Sequence, residues 1–339
     1  MSIYLTVIVA VSAGLAAVAA TLIGVRSLRR VIRALRGFLE MQRALLAAQR
    51  GILGAQRSMA ASLRLQDFYN KPVVKEHIAA LRSDTGSSSG RRTVLSYPTS
   101  RAVRLISPRF VGPETDLTVI CTIAIGDQYR DSVLPCIQSQ IDFAALHGFA
   151  FCILDDAPER VARATPWMRI PLITKLLLQG YDRILYIDAD AMITNKNFDV
   201  LRLFSRLENE KKSILLTEDE SGVNAGVMFI RNAEAALRVF DLIWLNNTDV
   251  HHALLEQNSL AVLLDASNEI SSTFLFEEDP KTFNSFPIER GQFHPTQPRQ
   301  IWSHGDFICH FSGIRTPHLE RYIADYASRC EQFQEHRKT

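Results

Sequence analysis

Residues Arg183–Asn195 read RILYIDADAMITN, an apolar run that ends in two closely spaced aspartates. The run Arg183–Ile187 is rich in branched and aromatic side chains, which predicts a buried β-strand. Asp188 and Asp190 follow at its carboxyl end. In an extended segment, residues two apart point to the same side, so we expect both carboxylates to approach one cation. Oxygen ligands of this kind suit Mg²⁺ or Mn²⁺.

Further apolar runs alternate with helical stretches on the amino-terminal side of this segment. Leu117–Ile125 and Phe149–Leu154 predict strands, whereas Asp131–His147 and Trp167–Leu178 predict helices, the second ended by Gly180. Strands that alternate with helices indicate the α/β class, with a mainly parallel sheet covered by helices. Ligands bind at the carboxyl ends of the strands in such sheets, and the two aspartates lie at such an end.

An Asp-x-Asp pair alone is weak support for a metal site, because solvated strand ends carry the same pattern. A phosphatase offers a second interpretation, with Asp188 as nucleophile and Asp190 as acid and base. However, Met192 stands where that class has Thr or Val, and the pair lies deep in the chain rather than near the start of a domain. The metal-binding interpretation is therefore favoured.

Charge is distributed unevenly along the 339 residues. Residues 1–92 contain 14 Lys and Arg against 4 Asp and Glu, whereas residues 93–339 contain 24 against 32. The acidic part would repel a phosphate backbone, which argues against nucleic-acid binding. The basic part suits anionic lipid headgroups. The chain is thus expected to meet a membrane but no nucleic acid.

Residues 3–25 contain no charged side chain and are rich in Val, Ala, Leu and Ile. A helix of this length crosses about 30 Å of hydrocarbon. No Lys or Arg precedes the run and it exceeds the apolar core of a signal peptide, so an anchor is favoured over a cleaved signal. Arginines follow from Arg26 onward, and the positive-inside rule then predicts a single-pass protein with a cytoplasmic catalytic domain.

Residues 26–82 predict one long amphipathic helix, because arginines recur every seven residues from Arg29 to Arg64. Two interpretations stay open: a coiled-coil stalk, which would form a homo-oligomer, or a helix lying among lipid phosphates. The Gly/Ser-rich residues 83–92 predict a flexible linker, which leaves residues 93–339 for the catalytic domain.

The cysteines are five, widely spaced and without a CxxC pair, which is typical of reduced, buried thiols rather than of disulfides or a zinc site. They are Cys121, Cys136, Cys152, Cys309 and Cys330.

Five motifs occur in a specific order along the second part of the chain. They are WMRIPLITKLLL (Trp167–Leu178), YIDADAMIT (Tyr186–Thr194), VNAGVMFIRN (Val223–Asn232), EQNSL (Glu256–Leu260) and GDFICHFSGIR (Gly305–Arg315). With these motifs the chain resembles retaining glycosyltransferases of the GT-A fold, especially the galactosyl-, mannosyl- and xylosyltransferase family of fungal mannan and plant xyloglucan synthesis. The family of glycogenin and bacterial lipopolysaccharide galactosyltransferases is similar more loosely. The match covers most of residues 117–330.

The resemblance implies a GT-A catalytic domain with a Rossmann-like, mainly parallel sheet. It implies that Asp188, Asp190 and His310 bind Mn²⁺ or Mg²⁺, with the metal holding the diphosphate of a nucleotide sugar. Further residues implied to bind the donor are Ala189, Gly226, Gly313 and Arg315, the last through the diphosphate.

The resemblance also implies the residues around the sugar. Asn224 and Arg169 would bond donor-sugar hydroxyls, and Gln257 would lie beside the anomeric carbon with Glu256 adjacent. A glutamine amide is a poor nucleophile, so front-side substitution through an oxocarbenium-like state is favoured. In the alternative interpretation, Glu256 and Gln257 only decorate a helix that continues through Leu264.

The end of the first strand is expected to line the nucleotide pocket through Thr122, Ile125 and Asp127, with Tyr129 stacking on the base. The predicted function is transfer of a hexose from a UDP-linked donor, favoured over a GDP-linked one, to a saccharide or lipid-linked glycan. Two alternatives stay open: a catalytically silent membrane-anchored scaffold, and the phosphatase described above.

Overall fold

The computed structural model describes residues 38, 41, 42, 63–83, 98–111, 117–156, 163–219, 222–246, 255–277, 279–288, 298–315 and 318–336. The chain divides into two compact units, Met1–Gln66 and Asp67–Thr339. The predicted transmembrane segment 3–25 lies outside the described residues, as does the predicted linker apart from Ser83. Among the described helices, none combines the length and the apolar character needed to span a bilayer.

A mixed β-sheet forms the centre of the second unit. Its seven strands in the described residues are β1 (Arg109–Val111), β2 (Thr118–Ile123), β3 (Ala150–Leu154), β4 (Arg183–Ile187), β6 (Ile214–Asp219), β7 (Gly222–Arg231) and β8 (Phe274–Glu277). They are ordered β1-β3-β2-β4-β7-β6-β8. Strands β1 and β7 run against the other five, which share one direction. The mainly parallel α/β sheet predicted from the sequence is therefore confirmed.

Helices cover both faces of this sheet. In chain order they are α1 (Pro72–Ser83), α2 (Pro98–Leu105), α3 (Asp127–Ser132), α4 (Leu134–His147), α5 (Arg169–Gln179), α6 (Val200–Asn209), α7 (Glu234–Leu245), α8 (Leu255–Ala266), α9 (Asn268–Ser271) and α10 (His318–His336). Because strand side chains alternate, Leu185 and Ile187 pack among α4, α6 and α10, whereas Met228 packs among α5, α7 and α8. The sheet therefore has apolar side chains packed against helices on each of its two faces.

Helix α1 corrects the prediction of one uninterrupted helix over residues 26–82. Residues 63–70 are helical, Lys71 forms a bend, and α1 begins at Pro72. Proline fits the first turn of a helix but lacks the N–H that an interior position requires, so the helix restarts there. Helix α1 packs against α7. The residues from Asp67 onward, expected in the stalk, therefore belong to the globular unit.

Two predicted helices differ in their starts. The stretch expected to be one helix over 131–147 is two helices, α3 and α4, separated at Val133. Helix α5 begins at Arg169 after a 3₁₀ turn, Thr165–Met168, rather than at Trp167. Its predicted end is confirmed, because Gly180 takes a left-handed conformation with φ 98°.

A two-stranded sheet extends one edge of the core. Strand β5 (Ala191–Ile193) pairs antiparallel with β9 (Ile308–His310), and Ala191 lies opposite His310. Both strands are fully buried. This pairing places a residue near the end of the chain next to the segment that follows β4.

Candidate functional site

Asp188 and Asp190 lie in a turn after β4 and not, as predicted, in extended backbone. The Ala191 N–H donates to the Asp188 carbonyl over 3.0 Å and closes the turn. The buried amide of Gln140 on α4 donates to the carbonyls of Asp188 at 3.0 Å and Ala191 at 2.9 Å. The two carboxylates are therefore brought together by a turn that this amide holds, and not by the alternation of side chains along a strand.

His310 completes a cluster with the two aspartates. Its Nε2 lies 3.5 Å from Asp190 Oδ1 and 3.8 Å from Asp188 Oδ2. One ligand atom from each of the three residues lies within 4.8 Å of the others. The Nε2 atom is buried and has no hydrogen-bond partner. Since buried polar atoms are nearly always satisfied, this atom is available to bind a ligand.

Gly226 on β7 forms the wall of the cluster. A Cβ atom there would lie 2.2 Å from His310 Cε1 and 2.9 Å from Asp188 Oδ2. The backbone at this position does not require glycine, since Gly226 is absent from the residues with positive φ. Glycine is therefore required here because a side chain would fill the space that the ligand atoms of His310 and Asp188 occupy. Two carboxylates and an unpartnered imidazole nitrogen in this cradle fit a divalent cation such as Mn²⁺.

Arg169 links the cluster to the layer of helices behind it. Its guanidinium contacts Asp188 Oδ1 at 3.2 Å and Glu256 Oε1 at 3.0 Å, and it donates to the Ala225 carbonyl at 2.6 Å. The side chain is only 9% exposed. A buried cation is tolerated only when paired, and here two carboxylates flank it. Burial lowers the pKa of Arg169, but Asp188 and Glu256 outweigh burial and raise it.

The pKa values of the carboxyl groups at the site are raised by burial and lowered by neighbouring basic groups, and the balance differs from one residue to the next. Burial raises the pKa of Asp188 despite the nearby Arg169 and the Tyr186 hydroxyl, which donates to Asp188 Oδ1 at 2.7 Å. Burial also raises the pKa of Glu256. Burial acts the same way on Asp190, but the adjacent His310 imidazole outweighs it and lowers the pKa of Asp190.

The start of β7 brings predicted sugar-contacting residues to the cluster. The Gly226 N–H donates to Asn224 Oδ1 at 2.9 Å, and the Ala225 N–H donates to Gln257 Oε1 at 3.0 Å. Asn224 is buried, whereas Gln257, at the start of α8, is half-buried. The neighbouring Glu256 side chain is buried against Arg169.

An open cavity of about 350 Å³ lies beside the aspartate turn. It extends from the turn past the end of β2 to the 3₁₀ turn before α5. Its lining residues are Ile123, Ile125, Tyr129, Thr165, Pro166, Arg169, Tyr186, Asp188, Ala189 and Asp190. A polar floor of carboxylates under apolar walls is the usual composition of a small-molecule site.

Besides Gly226 and Asn224 on β7, four predicted donor-binding residues do not line this cavity. Thr122 is wholly buried within β2. Asp127 is exposed at the start of α3 and pairs with Arg130 at 2.6 Å. Gly313, with φ 80°, and the exposed Arg315 follow β9.

Several residues of the site were not identified from the sequence. Gln140 holds the aspartate turn, Tyr186 bonds Asp188, and Asn284 contacts His310 Nδ1 at 2.9 Å. Tyr186 directly precedes the aspartate motif, which offered a local signal. Asn284 lies between Phe283 and Ser285, and only its position among buried aromatic residues could have indicated a role.

Comparisons with known proteins agree on one family. A model of the galactosyl transferase GMA12/MNN10 family matches residues 115–209 and 199–317. An alpha-1,2-galactosyltransferase of Schizosaccharomyces pombe is 28% identical over 152 residues, which cover 34% of this chain and 40% of the relative. A probable alpha-1,2-galactosyltransferase of the same yeast is 22% identical over 213 residues, or 52% of this chain and 62% of the relative. The chain thus matches between 40% and 62% of the length of these relatives.

The similar solved structures include one that matches over most of its own length. It is a glycosyltransferase involved in the glycosylation of the major capsid of PBCV-1, with a TM-score of 0.49 and 14% identity. The similarity covers 61% of this chain and 98% of that one.

Proposed function

Since this chain belongs to the galactosyl transferase GMA12/MNN10 family, we propose that it is a metal-dependent, retaining glycosyltransferase of the GT-A type. It moves a hexose from a nucleotide diphosphate sugar to a saccharide or glycolipid. The carboxylates and the cation-sized cradle beside the cavity suit a diphosphate held through a metal. Among such donors, a UDP-linked sugar is proposed ahead of a GDP-linked one. The relatives named alpha-1,2-galactosyltransferases favour galactose as the hexose.

The main support for the proposal is that His310 comes from a distant part of the sequence to lie beside Asp188 and Asp190 at the edge of the cavity. The Nε2 atom of His310 has no hydrogen-bond partner there. These three residues would hold Mn²⁺ or Mg²⁺, with Mn²⁺ favoured by the imidazole. Such an ion neutralises the charge that develops on a diphosphate leaving group. The carboxylates would repel that diphosphate without it.

The residues around the cluster prepare it for this role. Arg169 and Tyr186 both occupy Asp188 Oδ1, which leaves Oδ2 directed towards His310. Glu256 holds Arg169 from behind, so its proposed role is to orient Arg169 rather than to contact the sugar. Gln257 fixes the Ala225 N–H and is proposed to lie beside the anomeric carbon.

The cavity is proposed to receive the nucleotide, with Tyr129 stacking on the base beside Ile125. Thr122 and Asp127 would act through the local backbone, because neither side chain lines the cavity. Gly313 and Arg315, after β9, are proposed to close over the diphosphate. In the transfer, the bond from the anomeric carbon to the phosphate oxygen breaks as the acceptor hydroxyl attacks from the same face, and the leaving phosphate accepts its proton.

Location and organisation complete the proposal. Residues 3–25 would anchor the chain in a membrane, with the catalytic domain on the cytoplasmic side, and the basic segment after residue 25 would lie on lipid or self-associate. An acceptor linked to lipid suits an enzyme held at such a surface.

Donor turnover by the full chain in a mild detergent tests the proposal. We expect release of nucleoside diphosphate from UDP-galactose with Mn²⁺ and none with a chelator. Asp190→Asn should lower turnover about 100-fold or more, since it removes a ligand of the ion that would stabilise the leaving charge. Asp142→Asn is the matched control, because Asp142 pairs with Lys196 at the surface.

Thermal unfolding gives a second readout of the same proposal. A nucleotide sugar at 100 times its Kd stabilises a protein by about 2.7 kcal/mol. This stabilisation should appear only with Mn²⁺ or Mg²⁺ present. Stabilisation without metal would contradict the proposal, as would phosphate release from phosphomonoesters, which would favour the phosphatase. Donor binding without turnover would favour the scaffold.

A further inference from the structure

A buried asparagine lies behind the metal cluster. Asn284 Oδ1 is 2.9 Å from His310 Nδ1, on the side of the ring opposite the aspartates. Both side chains are buried, with exposures of 0% and 1%. Asn284 belongs to none of the motifs that identify the family and contributes no ligand atom to the cluster.

Asn224 forms hydrogen bonds with two groups that can act in only one way, one as a donor and the other as an acceptor. A backbone N–H can only donate, and the Gly226 N–H contacts Asn224 Oδ1 at 2.9 Å. An ionised carboxylate can only accept, and Asp219 Oδ2 contacts Asn224 Nδ2 at 2.8 Å. The orientation of the Asn224 amide is therefore fixed from both ends.

The orientation of the Asn284 amide follows from that of Asn224. Its amide contacts Asn224 Oδ1 at 3.1 Å and Thr217 Oγ1 at 2.9 Å. Because Asn224 Oδ1 can only accept, the Asn284 atom that faces it must be Nδ2, which donates. Asn284 Oδ1 then faces His310, and an amide oxygen can only accept.

His310 must consequently donate from Nδ1. In a neutral imidazole the other nitrogen, Nε2, then carries the lone pair. This atom points towards Asp188 and Asp190 at separations longer than the usual hydrogen-bond distance. A lone pair aimed into a space between carboxylates is the arrangement that a metal ligand requires.

We propose that a chain of hydrogen bonds from Asp219 through Asn224 and Asn284 fixes His310 in the orientation and tautomer that bind the metal, which makes Asn284 a positioning residue. The inference rests on the proposed function, since it needs a cation at this cluster. It also gives Asn224 a different role from the predicted contact with a sugar hydroxyl. Its amide positions both His310 and the Gly226 backbone.

Substitution of Asn284 tests the inference through metal affinity, without donor or turnover. Isothermal titration of the full chain with MnCl₂ should give a Kd about 10–100-fold higher for Asn284→Leu than for the parent. The matched control is Asn232→Leu. Asn232 is a buried amide at the opposite end of β7, where it donates to the carbonyls of Leu177 and Tyr181. It should lose stability but keep the parental Kd.

A conservative variant separates positioning from packing. Asn284→Asp keeps an acceptor for His310 Nδ1, and carboxylates often occupy this place behind a metal-bound histidine. The carboxylate cannot donate to Asn224 Oδ1 as the Asn284 amide does, so one link of the hydrogen-bond chain is lost. The Kd of Asn284→Asp should therefore lie between the parental value and that of Asn284→Leu. A loss as large as that of Asn284→Leu would overturn the inference, as would an unchanged Kd in Asn284→Leu.

The far end of the chain of hydrogen bonds gives a variant that does not disturb the core. Asp219 is partly exposed at the end of β6, beside the exposed Glu218. Asp219→Ala should weaken Mn²⁺ binding several-fold, whereas Glu218→Ala, which removes the same charge, should not. Equal affinities in these two variants and the parent would overturn the inference. If the parent itself fails to bind Mn²⁺, the proposed function fails and the inference fails with it.

Discussion

Gly226 contributes to the site through the side chain that it lacks. Gly226→Ala would place a methyl group against His310 and Asp188, in contacts closer than real Cβ atoms make. We expect Mn²⁺ affinity to fall at least about tenfold, because the imidazole must move away from the carboxylates. Titration with MnCl₂ measures this.

The backbone of the Gly226→Ala variant should fold normally, since φ at this position is not in the left-handed region. Thermal unfolding without metal is therefore the control: the variant should still unfold cooperatively, with a loss of stability of about 1–3 kcal/mol from overpacking. An alanine variant that binds Mn²⁺ as the parent does would show that the cradle is not needed.

At the scale of single residues, the sequence identified three residues that the fold brings together, but it did not predict the geometry that does so. Asp188 and Asp190 were predicted from their spacing, but that spacing fits an extended strand and a turn equally well. The turn depends on Gln140, whose partners are backbone carbonyls 48 and 51 residues away. Asn284 was missed for the same reason, because an isolated buried amide leaves no periodic pattern in a sequence.

At the scale of elements, the contact between α1 and α7 makes the fold sensitive to acid. His77 on α1 is buried, and its Nδ1 lies 3.3 Å from Arg238 Nη1 on α7. Burial, then the Arg238 charge, lowers the pKa of His77 to about 4 from 6.5. Between these values the unfolded chain binds the proton more readily, so this histidine stabilises the fold less as the pH falls from 6.5 to 4.

Replacement of His77 should flatten this part of the pH profile. His77→Leu removes the titrating group, so we expect the loss of stability between pH 6.5 and 4 to shrink by on the order of 1–2 kcal/mol. Urea unfolding at several pH values measures it. His318→Gln, at an exposed histidine, should leave the profile unchanged. Parallel profiles for parent and His77→Leu would contradict the assignment.

Strands were predicted more accurately than the helices before the sheet. The branched apolar runs that form β2, β3 and β4 are fully or almost fully buried. Their composition therefore matches their environment, which made these strands recognisable in the sequence. The heptad pattern extended the predicted stalk too far, because a seven-residue period does not register a single proline at residue 72. Tertiary packing against α7 decides where the globular unit begins.

The whole molecule therefore needs residues that the sequence placed outside the domain. A chain that starts at residue 93 lacks α1 and three buried apolar side chains, Phe68, Val74 and Leu81. Each such side chain stabilises a fold by about 1.5–3 kcal/mol. We expect this chain to unfold at a clearly lower temperature than one that starts at residue 63. Equal unfolding temperatures would show that α1 is dispensable.

The pairing of β5 with β9 also determines when, during synthesis, all three residues of the cluster are present. Asp190 and His310 are 120 residues apart in the sequence. At roughly 5–20 residues per second, the ribosome delivers the histidine on the order of ten seconds after the aspartates. During that interval the nascent chain holds two adjacent acidic groups without their imidazole. A nascent chain that stops before β9 therefore lacks the third ligand of the proposed metal site.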